Sequence, residues 1–342
     1  MDGILFEHSY DEMISMENLL EAWQEFVKGK RSRTDVQEFE QDLMHNLFSL
    51  YERLKTETYH HAAYVAFTVS DPKTRRIHKA SVADRVLHRA LYRKLYPFFD
   101  RTFIADSFSC RIGKGTHKAL DRFGRMARRV SKNHRRTVWV LKGDIRKFFA
   151  SVDQRILLET LDRRITDKRI VRLLWIILGS FSSGTSGIGL PLGNLTSQLF
   201  ANAYMDALDQ FVKHRLHARH YIRYADDFVI FSDERRCLER LLPMVDDFLR
   251  CALGLRLHPK KVEIRTVASG VDFLGWVHFF DHRVLRTATK RRMLKVIGGG
   301  TSSASLASYI GLLKHGNTIT LRRAMVQKSP LDGEIADCRR HR

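Results

Sequence analysis

The sequence predicts an α+β fold in which helices surround an antiparallel sheet. Residues 220–231 form two runs of aromatic and β-branched residues on either side of Asp226 and Asp227, which is the pattern of a β-hairpin with the acid pair at its turn. A second apolar run, residues 138–144, ends in a carboxylate and predicts a neighbouring strand. Apolar residues at helical spacing after Ser15 predict helices ahead of the sheet.

Two adjacent carboxylates at one turn need a cation nearby, because their negative charges repel each other. An isolated Asp-Asp pair would be explained more simply as a turn, since Asp is common in turns. Here a second predicted strand ends in Asp144, which is therefore a candidate for the third metal ligand. Mg²⁺ prefers such oxygen ligands, so the three acids indicate two-metal phosphoryl transfer. Asp153 is a rival third ligand, but it precedes a helical stretch and fits a helix N-cap better.

Six segments of the chain match the motifs of one family, in the family's order. They are residues 73–77 with 84–87, 103–117, 144–149, 223–227, 253–261 and 273–276. In these segments the chain resembles the reverse transcriptases, from about residue 70 to about residue 320. The resemblance implies an RNA-directed DNA polymerase with a right-hand fold: fingers, a palm of antiparallel sheet and helices, and a small helical thumb.

The same resemblance divides the chain into five regions. They are an N-terminal helical extension at 1–59, fingers at 60–137 and 155–195, a palm at 138–154 and 196–285, a thumb at 286–327, and a polar tail at 328–342. Within the palm we expect strands near 138–149, 220–232 and 271–279, and helices near 196–215 and 235–252.

The resemblance assigns the catalytic role to Asp144, Asp226 and Asp227. These carboxylates, together with the backbone at Ile145, would hold two Mg²⁺ ions, for which Mn²⁺ could substitute. Phe149 matches the family's steric gate, a ring that excludes the 2′-hydroxyl of a ribonucleotide. The alternative is that Phe149 is only a buried aromatic residue of the core.

Other residues match positions where the family contacts its substrates, which are template RNA, primer or cDNA, and deoxynucleotides. Those expected to bind the incoming nucleotide are Lys73, Arg75, Phe149, Leu192, Gly193, Gln198 and Lys260. Those expected to bind nucleic acid are Arg111, Lys114, Tyr224 and Lys261. Long cationic side chains suit phosphate. Lys73 and Arg75 could alternatively form a solvated hairpin tip, and the choice between Arg75 and Arg76 for the triphosphate is open.

Residues 187–202 narrow the choice of subfamily. Leu192-Gly193 and Ser197-Gln198 stand where retroviral and group II intron enzymes carry Gln-Gly and Ser-Pro. This form resembles reverse transcriptases of diversity-generating retroelements, which make cDNA with errors at template adenines and so diversify a target gene by mutagenic retrohoming. That resemblance implies a small basic accessory protein as a partner. The alternatives are a bacterial enzyme of antiphage defence and a non-catalytic RNA-binding scaffold.

Charge is unevenly distributed along the chain. The 342 residues carry a formal net charge of +21, yet residues 1–57 hold 13 acids against 6 bases. The remainder holds 53 bases against 25 acids, which favours a nucleic-acid partner bound in a salt-dependent manner. The acidic N-terminal helices either pack onto the fingers or offer a dock for a basic accessory protein.

The sequence shows no sign of a membrane or secreted protein. It has no run of about 18 apolar residues and no basic, then apolar, signal peptide. The four cysteines lack the spacing of a zinc site or a disulfide framework. We therefore expect a cytoplasmic protein with no membrane partner. The resemblance to diversity-generating retroelements implies that the protein is encoded by a bacterium or a phage.

Overall fold

The computed structural model describes residues 4–70, 74–299 and 302–327. Lys73 and the predicted polar tail lie outside the described residues. The helices are α1 (Tyr10–Ile14), α2 (Met16–Val27), α3 (Thr34–Gln41), α4 (Leu43–Lys55), α5 (Val82–Thr102), α6 (Thr116–Val130), α7 (Phe148–Ser151), α8 (Gln154–Asp162), α9 (Lys168–Gly179), α10 (Leu195–Gln210, continued by a π-helical turn at Phe211–Arg215), α11 (Arg235–Leu253), α12 (Thr287–Gly298), α13 (Ser303–Leu313) and α14 (Ile319–Gln327). The strands are β1 (Val65–Val69), β2 (Arg75–Lys79), β3 (Trp139–Asp144), β4 (Tyr221–Tyr224), β5 (Asp227–Ser232), β6 (Glu263–Thr266), β7 (Val271–Phe273), β8 (Trp276–His278) and β9 (Arg283–Leu285).

Helix starts follow the capping residues of the sequence. The side chain of Ser15 accepts a hydrogen bond from the backbone of Asn18 at the start of α2, and Asp153 caps α8 by accepting from the backbones of Arg155 and Ile156. Apolar residues at helical spacing predict a single helix after α2, through Phe39, Leu43, Leu47, Leu50 and Leu54, and this prediction is wrong. The backbone leaves helical geometry at Asp42, so that α3 and α4 are separate.

The acidic N-terminal helices are tied to the rest of the chain by ion pairs. Asp35 pairs with both Lys79 and Arg85 of the fingers, and Arg93 pairs with both Glu21 and Glu25. Two further pairs join this region to α9. They are Asp11 with Arg169 and Glu57 with Arg172. Packing onto the fingers, rather than exposure as a free acidic face, is therefore the main use of these carboxylates.

The palm sheet has four antiparallel strands in the order β4-β5-β3-β6. Two of the predicted palm segments, 138–149 and 220–232, supply β3, β4 and β5, which confirms them. The third prediction is wrong, because 271–279 forms β7 and β8 of a separate three-stranded sheet with β9. A turn at Gly270 (φ +84°) separates that sheet from β6, which is the fourth palm strand.

Side chains alternate across the palm sheet and feed two hydrophobic cores. Leu141 of β3 and Ile230 of β5 face the larger core, which includes the N-terminal helices, α5 and α10. Val140 and Val229 face the opposite way, into a core shared with α6 and the β7-β8-β9 sheet. The sheet is thus buried on both faces, and its functional groups lie at one end of β3 and β5. No helix within the described ranges is long and apolar enough to cross a membrane.

Candidate active site

The three predicted carboxylates lie at the same end of the palm sheet. Asp144 is the last residue of β3, Asp227 is the first residue of β5, and the two are directly paired across the strands. Asp226 lies in the tight turn between β4 and β5, after Ala225, which adopts a left-handed backbone (φ 54°). The backbone N–H of Ile145 donates to the carbonyl of Asp226 at 3.2 Å and joins the turn to the end of β3. Carboxylates from two distant parts of the sequence thus lie together at one end of the sheet, as predicted.

Gly143 allows β3 and β5 to approach at this point. It is paired with Phe228, whose ring lies across the glycine. A Cβ at Gly143 would lie 2.2 Å from that ring, well inside contact distance. Because the ring of Phe228 fills the space beside Gly143, any larger residue at Gly143 would displace Phe228, which follows Asp227 in β5.

Arg223 positions the turn that carries Asp226, a role the sequence analysis did not assign. Its side chain is fully buried and binds Asp209 of α10 through two bonds, Nε to Oδ1 and Nη2 to Oδ2, both 2.7 Å. The guanidinium also donates to the carbonyl of Ala225 at 3.2 Å and to the hydroxyl of Ser107 at 3.1 Å. The sequence did contain one indication of this role. Arg223 is a basic residue within an apolar predicted strand, and a buried guanidinium requires a paired carboxylate.

The cluster is electrostatically strained. Burial raises the pKa of Asp227 to about 7, and the negative charges of Asp226 and Asp144 act in the same direction. Burial also raises the pKa of Asp226, with Asp144 adding to the effect and the cations of Lys261 and Arg75 opposing it. The nearby cations therefore do not fully compensate the charge of the three carboxylates, and a bound metal cation would stabilise them.

Lys261 supplies part of the compensating positive charge. Its Nζ lies 2.8 and 2.9 Å from the two carboxylate oxygens of Asp144. In the described part of the chain, no three His, Cys, Asp or Glu side chains are grouped so that they could hold a metal ion together. The donor set still fits Mg²⁺ in its chemistry, since three carboxylates are hard oxygen ligands and the pKa values of Asp226 and Asp227 are raised by burial and by neighbouring negative charge. Binding would require Asp144 to exchange the ammonium of Lys261 for the metal.

Among the residues predicted to bind the nucleotide, Arg75 lies near the carboxylates, and Phe149 follows Asp144 by five residues in sequence. Phe149 is half-buried after β3, and its carbonyl accepts a hydrogen bond from the backbone of Leu190. Arg75 lies at the exposed start of β2, within electrostatic reach of Asp226. The carbonyl of Leu192 accepts from the backbone of His78 at 2.9 Å, so this segment is fastened to the fingers.

Three others are placed elsewhere or make no contact with the cluster. Gly193 packs against Ile77 of the fingers, and Gln198 lines a cavity between the fingers and the N-terminal helices. Lys260 is exposed, beside Lys261. Their roles in nucleotide binding stay predictions.

The residues predicted to bind nucleic acid are mostly engaged within the protein. The guanidinium of Arg111 is buried, pairs with Asp100 at 2.6 Å and donates to three backbone carbonyls, which favours a structural role over contact with a strand. Lys114 donates to the carbonyl of Ala105 at 2.5 Å, and the hydroxyl of Tyr224 accepts from Thr116. Lys261 faces Asp144, so its first partner is a carboxylate and not a phosphate.

Comparison with known proteins identifies the family. Residues 69–278 match the family described as reverse transcriptase (RNA-dependent DNA polymerase), and this range contains all three carboxylates. The chain belongs to the reverse transcriptase family. The members of this family are RNA-directed DNA polymerases, so the resemblance in the motifs is confirmed at this level.

Relatives of this reverse transcriptase are diverse. Protein YkfC of Escherichia coli is 26% identical over 305 residues, which cover 78% of this chain and 75% of YkfC. Nuclear intron maturase 1 of Arabidopsis thaliana is 28% identical over 109 residues, 31% of this chain and 14% of that protein. A telomerase from Candida tropicalis has a TM-score of 0.50 at 12% identity, with 71% of this chain and 60% of that chain covered. The predicted right-hand fold is confirmed by this likeness.

Proposed function

We propose that this reverse transcriptase extends a primer on an RNA template at Asp144, Asp226 and Asp227. The observation that carries the proposal is the pairing of Asp144 with Asp227 across β3 and β5, with Asp226 in the adjoining turn. Three carboxylates at one sheet end, two of them with raised pKa values, form a site that attracts divalent cations.

The chain's residues would act by holding and orienting. Two Mg²⁺ ions bound by the carboxylates would lower the pKa of the primer 3′-hydroxyl and stabilise the leaving pyrophosphate. Lys261 keeps Asp144 neutralised until that exchange. Arg75 faces the cluster from the fingers, where its charge suits the triphosphate. Phe149, half-buried beside the end of β3, would exclude a 2′-hydroxyl by contact.

We further propose that the enzyme is of the diversity-generating retroelement type. The support is the apolar Leu192 in the segment before α10, where more accurate relatives carry an amide. Leu192 is half-buried, and its backbone carbonyl accepts a hydrogen bond from His78 of the fingers. Because the leucine side chain has no polar atom, it offers contact without a directional hydrogen bond. A nascent base pair would then be held less firmly, which suits error-rich synthesis.

The retroelement type implies a small basic accessory protein. An acidic dock on the N-terminal helices is weakened by the structure, since carboxylates such as Asp35 and Glu21 already pair with basic residues of the fingers. We keep the accessory protein in the proposal without assigning its dock. A role in antiphage defence would use the same carboxylates and differs in the cDNA that is made.

Primer extension on a defined RNA, followed by sequencing of the cDNA, tests the proposal at both levels. Extension with deoxynucleotides and Mg²⁺ is expected, with misincorporation concentrated opposite adenine. Absence of extension would contradict the active site. Extension with errors spread evenly over the four template bases would retain the polymerase and reject the retroelement type. A pair of near-identical repeats in neighbouring DNA that differ mainly at adenines would support that type independently.

A further inference from the structure

Two histidine side chains are buried where the fingers meet the start of α10. His88 of α5 is 2% exposed, and the side chain of His61, in the loop before β1, is 1% exposed. Their Nε2 atoms lie 3.1 Å apart, and Nδ1 of His88 lies 2.5 Å from the hydroxyl of Thr196 in the first turn of α10. Nδ1 of His61 lies 2.6 Å from the carbonyl oxygen of Ala62. These four residues form one line of hydrogen bonds from the fingers to α10.

The carbonyl at one end fixes the direction of every hydrogen bond in this line. A carbonyl oxygen only accepts, so Nδ1 of His61 carries the proton, and Nε2 of the neutral ring accepts from Nε2 of His88. Nδ1 of His88 is then an acceptor, to which the hydroxyl of Thr196 donates. All ring nitrogens are satisfied only when both rings are neutral. Burial favours that state, because it lowers the pKa of His88 to about 3.

Asp84 of α5 holds the loop that carries His61. Its buried carboxylate accepts from the hydroxyl of Tyr59 at 2.7 Å, from the backbone N–H of Ala62 at 3.2 Å and from the hydroxyl of Ser81 at 2.7 Å. The carboxylate lies 3.8 Å from Nδ1 of His61, which is beyond hydrogen-bond distance, so the imidazole keeps its bond to the carbonyl. The line of hydrogen bonds therefore begins at a part of the fingers that is itself fixed.

At its other end the line reaches the helix that follows the segment around Leu192. Thr196 is 1% exposed and is the second residue of α10. The N-cap residue, Asn194, makes no capping hydrogen bond with its side chain, so the hydrogen bond at Thr196 fastens a helix start that its cap leaves free. Near the far end of α10, Asp209 binds Arg223 below the catalytic turn. The two ends of α10 are thus held by separate buried contacts.

We propose that His88 is a positioning residue for the polymerase reaction, and that it fixes the segment around Leu192 by accepting the hydrogen bond of Thr196. The inference rests on the proposed function, in which Leu192 contacts the nascent base pair. Because a hydrogen bond is directional, its loss lets the first turn of α10 shift while the rest of the helix stays folded. The catalytic turn is held separately through Arg223. Nucleotide binding should therefore weaken more than the chemical step.

Thr196→Val tests this proposal, because valine keeps the branched shape of threonine and removes only the hydroxyl. The KM for deoxynucleotides in primer extension on RNA should rise about tenfold, the factor expected for one lost buried hydrogen bond, while kcat changes much less. Thr196→Ser keeps the hydroxyl and should retain the wild-type KM. Thr160→Val is the matched control, because the hydroxyl of Thr160 donates to the carbonyl of Ile156 within α8, outside the line.

Two substitutions at His88 test the accepting side of the same hydrogen bond. In His88→Asn the carboxamide oxygen can take the place of Nδ1 and accept from Thr196, whereas His88→Leu has no acceptor. Both variants lose the hydrogen bond with His61. The KM for deoxynucleotides should therefore rise about tenfold in His88→Leu and much less in His88→Asn. Equal KM values for the two variants would overturn the proposal.

Hydrogen exchange in the full chain measures the same positioning without a reaction. In Thr196→Val the backbone N–H groups of residues 187–200 should exchange faster than in the wild type, whereas those of α4 should keep their rates. A fall in kcat with an unchanged KM, or unchanged exchange at residues 187–200, would overturn the proposal. So would a KM for Thr160→Val as high as that for Thr196→Val. If the wild type itself extends no primer, the proposed function fails, and hydrogen exchange alone decides whether Thr196 holds the segment.

Discussion

The ammonium of Lys261 contacts both carboxylate oxygens of Asp144, at 2.8 and 2.9 Å. These residues come from β3 and from the loop before β6, and the pair lies at the end of the sheet where a metal would bind. Asp144 is almost fully buried, whereas the Lys261 side chain is 39% exposed. Lys261 can therefore withdraw toward solvent, while the carboxylate stays in place. The pair makes metal binding a competition between a divalent cation and an internal ammonium.

Removing Lys261 should therefore tighten metal binding. In Lys261→Gln, Mg²⁺ no longer displaces an ammonium, so the concentration of Mg²⁺ at half-maximal thermal stabilisation should fall. Without metal the variant should lose about 1 kcal/mol of stability at most, because the lysine is partly exposed. Thermal unfolding across a Mg²⁺ titration measures both effects. Lys260→Gln is the control, and equal midpoints for the two variants would contradict the competition.

The raised pKa of Asp227 predicts how stability depends on pH. Because burial and neighbouring carboxylates favour its protonated form in the folded state, its contribution is fully present below the unfolded pKa of about 4. That contribution is lost as the pH rises toward about 7. Without metal, the wild type should lose stability relative to Asp227→Asn across this window. Denaturant unfolding of both proteins between pH 4 and about 7.5 measures the difference, and parallel curves would refute it.

Sugar selection should depend on Phe149. Phe149→Val keeps an apolar residue but removes the ring, opening space beside the incoming sugar. Ribonucleotide incorporation relative to deoxynucleotide incorporation should rise, while the rate with deoxynucleotides changes less. A competition assay with both nucleotide types measures the ratio. The steric role is rejected if the ratio is the same in both proteins.

Fidelity should depend on Leu192. Leu192→Gln adds an amide that can hydrogen-bond near the nucleotide and hold the nascent pair in register. A difference of ~1.4 kcal/mol between correct and incorrect transition states changes the error ratio about tenfold. Misincorporation opposite template adenine should fall, as measured by sequencing cDNA made by each protein on one RNA. Reduced activity with an unchanged error spectrum would instead mean that Leu192 only packs beneath the fingers.

Sequence patterns predicted the local parts of this site and the grouping of Asp144 with Asp226 and Asp227, but they missed other contacts between distant parts of the chain. The hairpin around Asp226 and the cap at Asp153 follow from residue types within a few positions, and both are present. The pairing of Lys261 with Asp144 spans 117 residues and depends on where β6 joins the sheet, which alternation in a four-residue strand did not indicate. The line of hydrogen bonds from His61 through His88 to Thr196 depends in the same way on three separate parts of the chain.

The central claim is that the three carboxylates catalyse RNA-directed DNA synthesis, and Asp226→Asn tests it most directly. The substitution keeps the size of the side chain and removes a carboxylate whose pKa is raised by burial. The protein should therefore stay folded and retain RNA binding. Asp233→Asn, at an exposed carboxylate just after β5, is the matched control. In primer extension on RNA with Mg²⁺, the account predicts a fall of orders of magnitude for Asp226→Asn and a near wild-type rate for Asp233→Asn. A near wild-type rate for Asp226→Asn would contradict it.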